Sequence, residues 1–176
     1  GIPPYHNNAI WPFVETFYTW AAAKAGNEKA VLQGIADIYR PAALFATNKE
    51  NFVAENGDFA GTQINSSNML WSLSGNVSLV HKVLFGLKFK EEGLGFHPFV
   101  PQALQGERSL LNFKYRNAIL NIDLAGFGNE IASFLIDGKP SSTHVIPAGI
   151  TGVHSIKISL SDQLTGTHPN VQPVYF

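Results

Sequence analysis

The stretch Tyr5-His6-Asn7-Asn8-Ala9-Ile10-Trp11-Pro12-Phe13 gathers a phenol, an imidazole, two carboxamides and an indole just ahead of an apolar helical pattern. Amides and a histidine supply paired donors and acceptors, while Tyr and Trp supply flat apolar faces with a polar tip. A surface that must hydrogen-bond hydroxyls and stack against C–H faces needs those groups together, and sugars present both. A polar helix-entry loop with aromatics tucked under it accounts for the same residues without any ligand.

If the ligand is a glycoside to be cleaved, carboxyl groups decide the chemistry. One must protonate the leaving oxygen, and a second must activate water or attack. Glu55 is the best-placed carboxylate, in a long polar stretch beside Asn56 and Gly57; the plain alternative is a solvated loop charge. Glu15 is the second candidate. On a helical wheel it falls with Trp11, Tyr18 and Ala22, where aromatic neighbours would raise its pKa as a general acid requires. A tie to backbone or to an arginine is the ordinary alternative, and Asp58 is a weaker spare. The six histidines (His6, His81, His97, His144, His154, His168) show no metal-ligand spacing. With no cysteine, thiolate metal sites and disulfides are excluded. No phosphate-binding loop, dinucleotide fingerprint or nucleophile elbow occurs, so no cofactor is expected.

The elements that must position these groups change period along the chain. Phe13, Val14, Phe17 and Ala21 recur at helical steps, and Gly26-Asn27 ends that helix. A second helix runs from about Glu28 through Val31, Ile35, Ile38, Tyr39 and Ala42, with Pro41 expected to kink it or end it near Arg40. The two should form an antiparallel hairpin. Ser66 or Ser67 is expected to cap a third helix, with Leu70, Leu73, Val77, Val80 and Leu84 on one face. Between the second and third helices, residues 48–65 form a long polar connection, and such connections are usually functional. Phe52 and Phe59 are its expected anchors. Beyond residue 90 the period becomes two. Leu120, Ile122 and Leu124 alternate with polar residues, as do Ile156, Ile158 and Leu160; Ala132, Phe134 and Ile136 mark a further strand. Arg116-Asn117 and Asp137-Gly138 are turn dipeptides. Residues 1–90 are therefore expected to be helical and 91–176 to form an antiparallel β-sandwich, an α+β chain.

The remaining composition narrows the partners. A net charge of −1 without a basic run argues against nucleic acid. No apolar run approaches a membrane span. Only 14% of residues are charged, against the usual quarter, which points to a large interface or a place inside a bigger assembly. The opening Gly-Ile-Pro-Pro, without Met or a basic leader, reads as part of a longer chain.

Three patches in order resemble a known family. The Tyr5–Phe13 patch resembles the segment opening a late hairpin of six-hairpin, (α/α)6-barrel glycosidases. Glu55-Asn56-Gly57-Asp58 followed by Asn68-Met69-Leu70-Trp71-Ser72 resembles the Glu-containing loop and Trp-Ser helix start of the trehalase- and processing-glucosidase-like members. Gly86-Leu87, Gly95-Phe96-His97-Pro98-Phe99-Val100-Pro101 and the strands resemble the small β-sandwich that follows the barrel in bacterial members. The resemblance implies the C-terminal part of a glycoside hydrolase: the last hairpins of an (α/α)6 toroid and its terminal β-domain. It also implies that Glu55 is the general base of an inverting reaction on an oligosaccharide or glycoside. Tyr5, His6, Asn7, Asn8, Trp11 and Trp71 would line the sugar pocket, and the general acid would come from the remainder of the barrel. A periplasmic or secreted location goes with that resemblance. Asn56-Gly57-Asp58 departs from the aromatic-rich sequence common after the family's Glu. The competing class is a non-catalytic carbohydrate- or protein-binding module.

Overall fold

The computed structural model describes residues 2–166, so His168 lies outside the described residues. The chain is α+β, three helices followed by mostly antiparallel sheets, and it divides into two compact units, Gly1–Val80 and His81–Phe176. The division falls upstream of residue 90 because the last helical turns belong to the sheet unit. Val83, Phe85 and Leu87 are buried there, and the Val83 and Gly86 carbonyls accept from Phe99 and His97.

In the first unit a two-residue strand β1 (Ala9–Ile10) precedes helix α1 (Pro12–Lys24). Pro12 opens that helix, where the missing N–H costs nothing. Gly26, at φ 73°, leaves the helix, and Asn27 then caps α2 (Glu28–Phe45) by accepting from the Ala30 N–H at 3.1 Å. Helix α2 runs through Pro41 to Phe45 rather than ending near Arg40, and Ala46 in the left-handed region closes it. Strand β2 (Phe52–Val53) pairs antiparallel with β1. Helix α3 (Leu70–Ser78) continues as a wide π-turn over Leu79–Leu84. Neither Ser66 nor Ser67 caps it. Met69 is the N-cap residue, with no side-chain bond, while Ser67 Oγ accepts from Lys49 Nζ at 2.8 Å.

The helices turn the expected faces around. The buried residues of α1 are Pro12, Thr16, Thr19 and Ala22, and those of α3 are Ser72 and Gly75. Val14 and Phe17 on α1, and Leu70, Leu73 and Val77 on α3, are exposed instead of buried. Close approach of small residues is the cause. A Cβ on Gly34 of α2 would stand 1.9 Å from Thr19 Oγ1, and one on Gly75 would stand 2.7 Å from Thr16 Oγ1. Both threonine hydroxyls donate back to their own helix, Thr16 to the Pro12 carbonyl and Thr19 to that of Glu15, so neither brings an unpaired polar group to the interface.

In the second unit one sheet holds β3 (Leu87–Phe89), β4 (Gly93–Phe96) and β9 (Val145–Pro147), in that order. The other holds β5 (Gly106–Tyr115), β6 (Asn117–Gly126), β7 (Ile131–Ile136), β8 (Lys139–Pro140) and β10 (Thr151–Leu160), ordered β5-β6-β10-β7-β8. Ala118, Leu120, Ile122 and Leu124 of β6 are buried, as are Ile156, Ile158 and Leu160 of β10, so the period-two reading gives the inward face. In β7 only Phe134 of the expected set is buried, and the ladder shifts register where Leu160 meets Ile131. Phe134 meets Phe96 of the other sheet at 5.2 Å between ring centroids. One pair departs from the antiparallel expectation. Strand β10 lies parallel to β6, because the chain leaves for β9 and returns between β6 and β7, the crossover a parallel pair requires.

Asp137-Gly138 forms the two-residue β7–β8 turn, both at positive φ (51° and 77°), as a primed hairpin turn demands. The Asp137 carboxylate also accepts from the Ser155 N–H and lies 2.7 Å from His154 Nδ1. That histidine holds Asp137 below the usual carboxylate range, and Asp137 raises the His154 pKa.

Two outcomes follow from this packing. Gly34→Ala should destabilise the helical unit by about 1–3 kcal/mol in urea unfolding, despite the better helix propensity of Ala. Adding Thr19→Ala should recover part of the loss; a Gly34→Ala chain as stable as wild type would show that the close approach does not exist. In the sheet unit, a raised folded-state pKa makes the His154 contribution complete below pH 6.5 and lost as pH climbs through the raised value. Thermal unfolding should show this loss in wild type as pH is raised above 6.5, with a flatter profile for His154→Gln.

Candidate functional site

The aromatic groups singled out in the sequence meet in the helical unit. Tyr5 lies 4.6 Å from His6 and 4.9 Å from Trp11 between centroids, and the His6 and Trp11 rings are near parallel, 13° apart. Trp11 meets Trp71 edge-on at 5.6 Å, and Trp71 stacks on Phe13 at 4.6 Å. The result is a continuous wall of rings contributed by the entry segment, the start of α1 and the start of α3. His6 and Trp71 are exposed, while Tyr5 and Trp11 are half-buried. Trp11 is anchored by donating from Nε1 to the Tyr5 carbonyl at 2.8 Å.

Local pairing holds this wall against the 48–65 connection. The β1–β2 ladder matches Ala9 with Val53 and Ile10 with Phe52. At its end Asn8, at φ 54°, accepts from the Ala54 N–H at 3.0 Å, and the Pro4 carbonyl accepts from Gln63. The connection itself is locked by buried Asn51, whose Nδ2 donates to the Ile64 carbonyl. Asn65 Nδ2 reaches the Asn51 carbonyl, the Asn51 side chain and Thr62 Oγ1. Phe52 stacks with Phe45 at 5.9 Å and Phe59 meets Phe45 at 5.0 Å, so both expected anchors are engaged. Much of the polarity of this segment therefore serves its own folding.

The carboxylates fall in three different settings. Glu55 is exposed at the tip of the Val53–Asp58 turn, in which the Val53 and Asp58 carbonyls accept from Gly57 and Val53, and no hydrogen bond to its side chain occurs among the described residues. The Ala54–Asn8 bond places this turn next to the Asn7-Asn8 end of the wall. The Asn7 and Asn8 carboxamides are exposed and make no side-chain hydrogen bond among the described residues, which leaves them open to a ligand. Glu15 lies on α1 one turn after Trp11, whose carbonyl accepts from the Glu15 N–H at 2.9 Å. Burial raises its pKa, and the charge of Asp37 on α2 raises it further. It belongs electrostatically to the α1–α2 contact.

Glu50 is the group that inspection of the sequence misses. Only 6% exposed, it accepts from the Tyr5 hydroxyl at 2.9 Å through Oε1. That bond is the main cause of a raised Tyr5 pKa, followed by desolvation and the negative charge. No cation among the described residues lies within ion-pair distance of Glu50. In the sequence Glu50 is marked only by lying within the polar 48–65 connection; its burial emerges from the fold. Among the described residues, no set of three or more His, Cys, Asp or Glu is grouped to hold a metal ion, and no helix is long and apolar enough to cross a membrane.

Because the folded chain favours neutral Glu15, its penalty grows as pH rises through the raised pKa and fades toward acid. Glu15→Gln should therefore raise the melting temperature at pH 7 and leave it nearly unchanged near pH 4; a variant with the same midpoint as wild type at both pH values would show that the fold does not penalise the Glu15 charge. The sequence matches no protein-family model, and a search of curated proteins finds no significant match.

Proposed function

We propose that this chain is the C-terminal part of a bacterial glycoside hydrolase of the six-hairpin, trehalase- and processing-glucosidase-like clan. Its helices would complete an (α/α)6 toroid and its sheets would form the terminal β-sandwich. The observation that carries this reading is the ring wall of Tyr5, His6, Trp11 and Trp71, edged by the open amides of Asn7 and Asn8 and by the turn that holds Glu55. Flat apolar faces beside free carboxamides suit a sugar's C–H face and hydroxyls. The uncovered helix faces add support: Leu70 is 78% exposed and Phe17 59%, and α3 carries no charged residue. Such surfaces call for further helices, as the remainder of a barrel would supply.

On this reading Glu55 is the general base. It takes a proton from a water that attacks the anomeric carbon, while a carboxylic acid in the rest of the barrel protonates the departing oxygen; the configuration inverts. The substrate is an oligosaccharide or glycoside, and the location is periplasmic or secreted, in keeping with the resemblance. A second reading, a non-catalytic carbohydrate-binding module, is favoured by one observation: residues 5–71 build the whole wall without help from any other chain.

The deciding experiment is kinetic. In the full-length protein Glu55→Gln should cut turnover of an aryl glycoside by about 10²–10⁴-fold with substrate binding largely kept, and residues 1–176 alone should hydrolyse nothing. Turnover within a few-fold of wild type would end the assignment of Glu55 as base. Tight sugar binding by monomeric 1–176 would favour the module.

A further inference from the structure

We propose that Glu50 is the hydroxyl-reading group of the aromatic wall: its carboxylate, held by Tyr5, accepts hydrogen bonds from a sugar and sets which hydroxyl pattern the wall retains. The proposal rests on the carbohydrate reading of the same wall. It gives the site a polar determinant that neither the composition nor the spacing of the sequence revealed.

The argument begins with the cost of the group. Glu50 is more than nine-tenths buried, and no Lys, Arg or His among the described residues lies within ion-pair distance of it. Lys49, its neighbour in the chain, points elsewhere: its ammonium sits 3.8 Å over the Phe59 ring and donates to Ser67 Oγ. A buried carboxylate without a cation is costly, and such groups concentrate where a ligand uses them. An ionised carboxylate is acceptor-only, with room for several donors. Here one oxygen takes the Tyr5 hydroxyl, and the carboxylate retains acceptor capacity beyond that bond.

Position supplies the second half. The donor that holds Glu50 is itself a ring of the wall, 4.9 Å from Trp11 and 4.6 Å from His6. A pyranose stacked on these rings would present its hydroxyls at their rim, and the Tyr5 hydroxyl that binds Glu50 is itself a rim group. The exposed Asn7 and Asn8 amides offer donors as well as acceptors, whereas Glu50 offers acceptors alone. It therefore selects for a ligand hydroxyl that donates, with the gain of a charge-assisted bond. The pair is also fixed in place, because the Glu50 N–H donates to the Ser66 carbonyl at 3.0 Å and the Trp11 indole donates to the Tyr5 carbonyl.

The test is calorimetric binding of methyl glycosides of glucose, galactose and mannose, and then of the monodeoxy analogues of the tightest binder, to the full-length protein and its variants. Wild type should lose affinity for one deoxy analogue in particular. Glu50→Gln, which preserves shape and the bond from Tyr5, should weaken the parent glycoside by about tenfold or more and erase its advantage over that analogue. Tyr5→Phe should keep the advantage, since the carboxylate remains. If Glu50→Gln binds every glycoside as wild type does, Glu50 is not a reading group although the wall still takes sugar. Should both variants lose binding in step with a falling melting temperature, the pair is only a staple for the entry segment. Wild type that binds none of the glycosides overturns this proposal together with the carbohydrate reading.

Discussion

The close approach of α1 to α2 and α3 is the constraint from which the rest of the helical unit follows. Thr19 against Gly34, and Thr16 with the Pro12 carbonyl against Gly75, leave no room for even one added methyl group. Helices that meet through such small residues cannot also bury their large ones between them. The apolar faces of α1 and α3 consequently turn outward, and Phe13 and Trp71, flanking the contact, come face to face. The same geometry that leaves a hydrophobic surface uncovered thus builds the central rung of the aromatic wall.

Two polar devices then fix what the helices leave open. The β1–β2 ladder is only two residues long, yet with the Asn8–Ala54 and Pro4–Gln63 bonds it pins the entry segment to the connection after α2. The Asn51–Asn65 network keeps that connection in one shape, since both groups would be expensive to bury unpaired. The Tyr5 hydroxyl closing on Glu50 follows from this arrangement rather than from contact in sequence. The sheet unit is a different kind of object: a core of alternating aliphatic residues with its own turns.

How much of this was legible depended on the range of the determining contact. Asn27 as a cap, Gly26 as a helix exit and Asp137-Gly138 as a hairpin turn are all settled within a few residues, by backbone sterics and local hydrogen bonds. The inward faces of β6 and β10 were legible for a related reason, because a period of two against a single core allows one register. The helix faces were not. Periodicity marked Val14, Phe17, Leu70 and Leu73 as apolar stripes, but nothing in a stripe says whether the stripe or the small-residue face opposite it meets the neighbouring helix. Pro41 left two outcomes open, a kink or an end near Arg40, and only the packed chain excludes the end, since α2 runs on to Phe45. In the second sheet, the return of β10 between β6 and β7 is a matter of topology that a strand's own pattern does not encode.

The candidate site divides along the same line. Residue types alone determined that Tyr5, His6, Asn7, Asn8 and Trp11 could serve a sugar, because phenol, imidazole, amide and indole carry their chemistry wherever they stand. Glu55 joined the candidates through its place in a long polar stretch, and Trp71 only through the family resemblance. Only the tertiary structure decided which groups share a surface: Trp71 joins the wall, Glu55 stands exposed at its edge, and Glu15 turns toward Asp37 on α2. It alone brought in Glu50, forty-five residues from the phenol that holds it. Donor and acceptor character is a property of a side chain, whereas burial, and the need for a partner that burial creates, belongs to the packed chain.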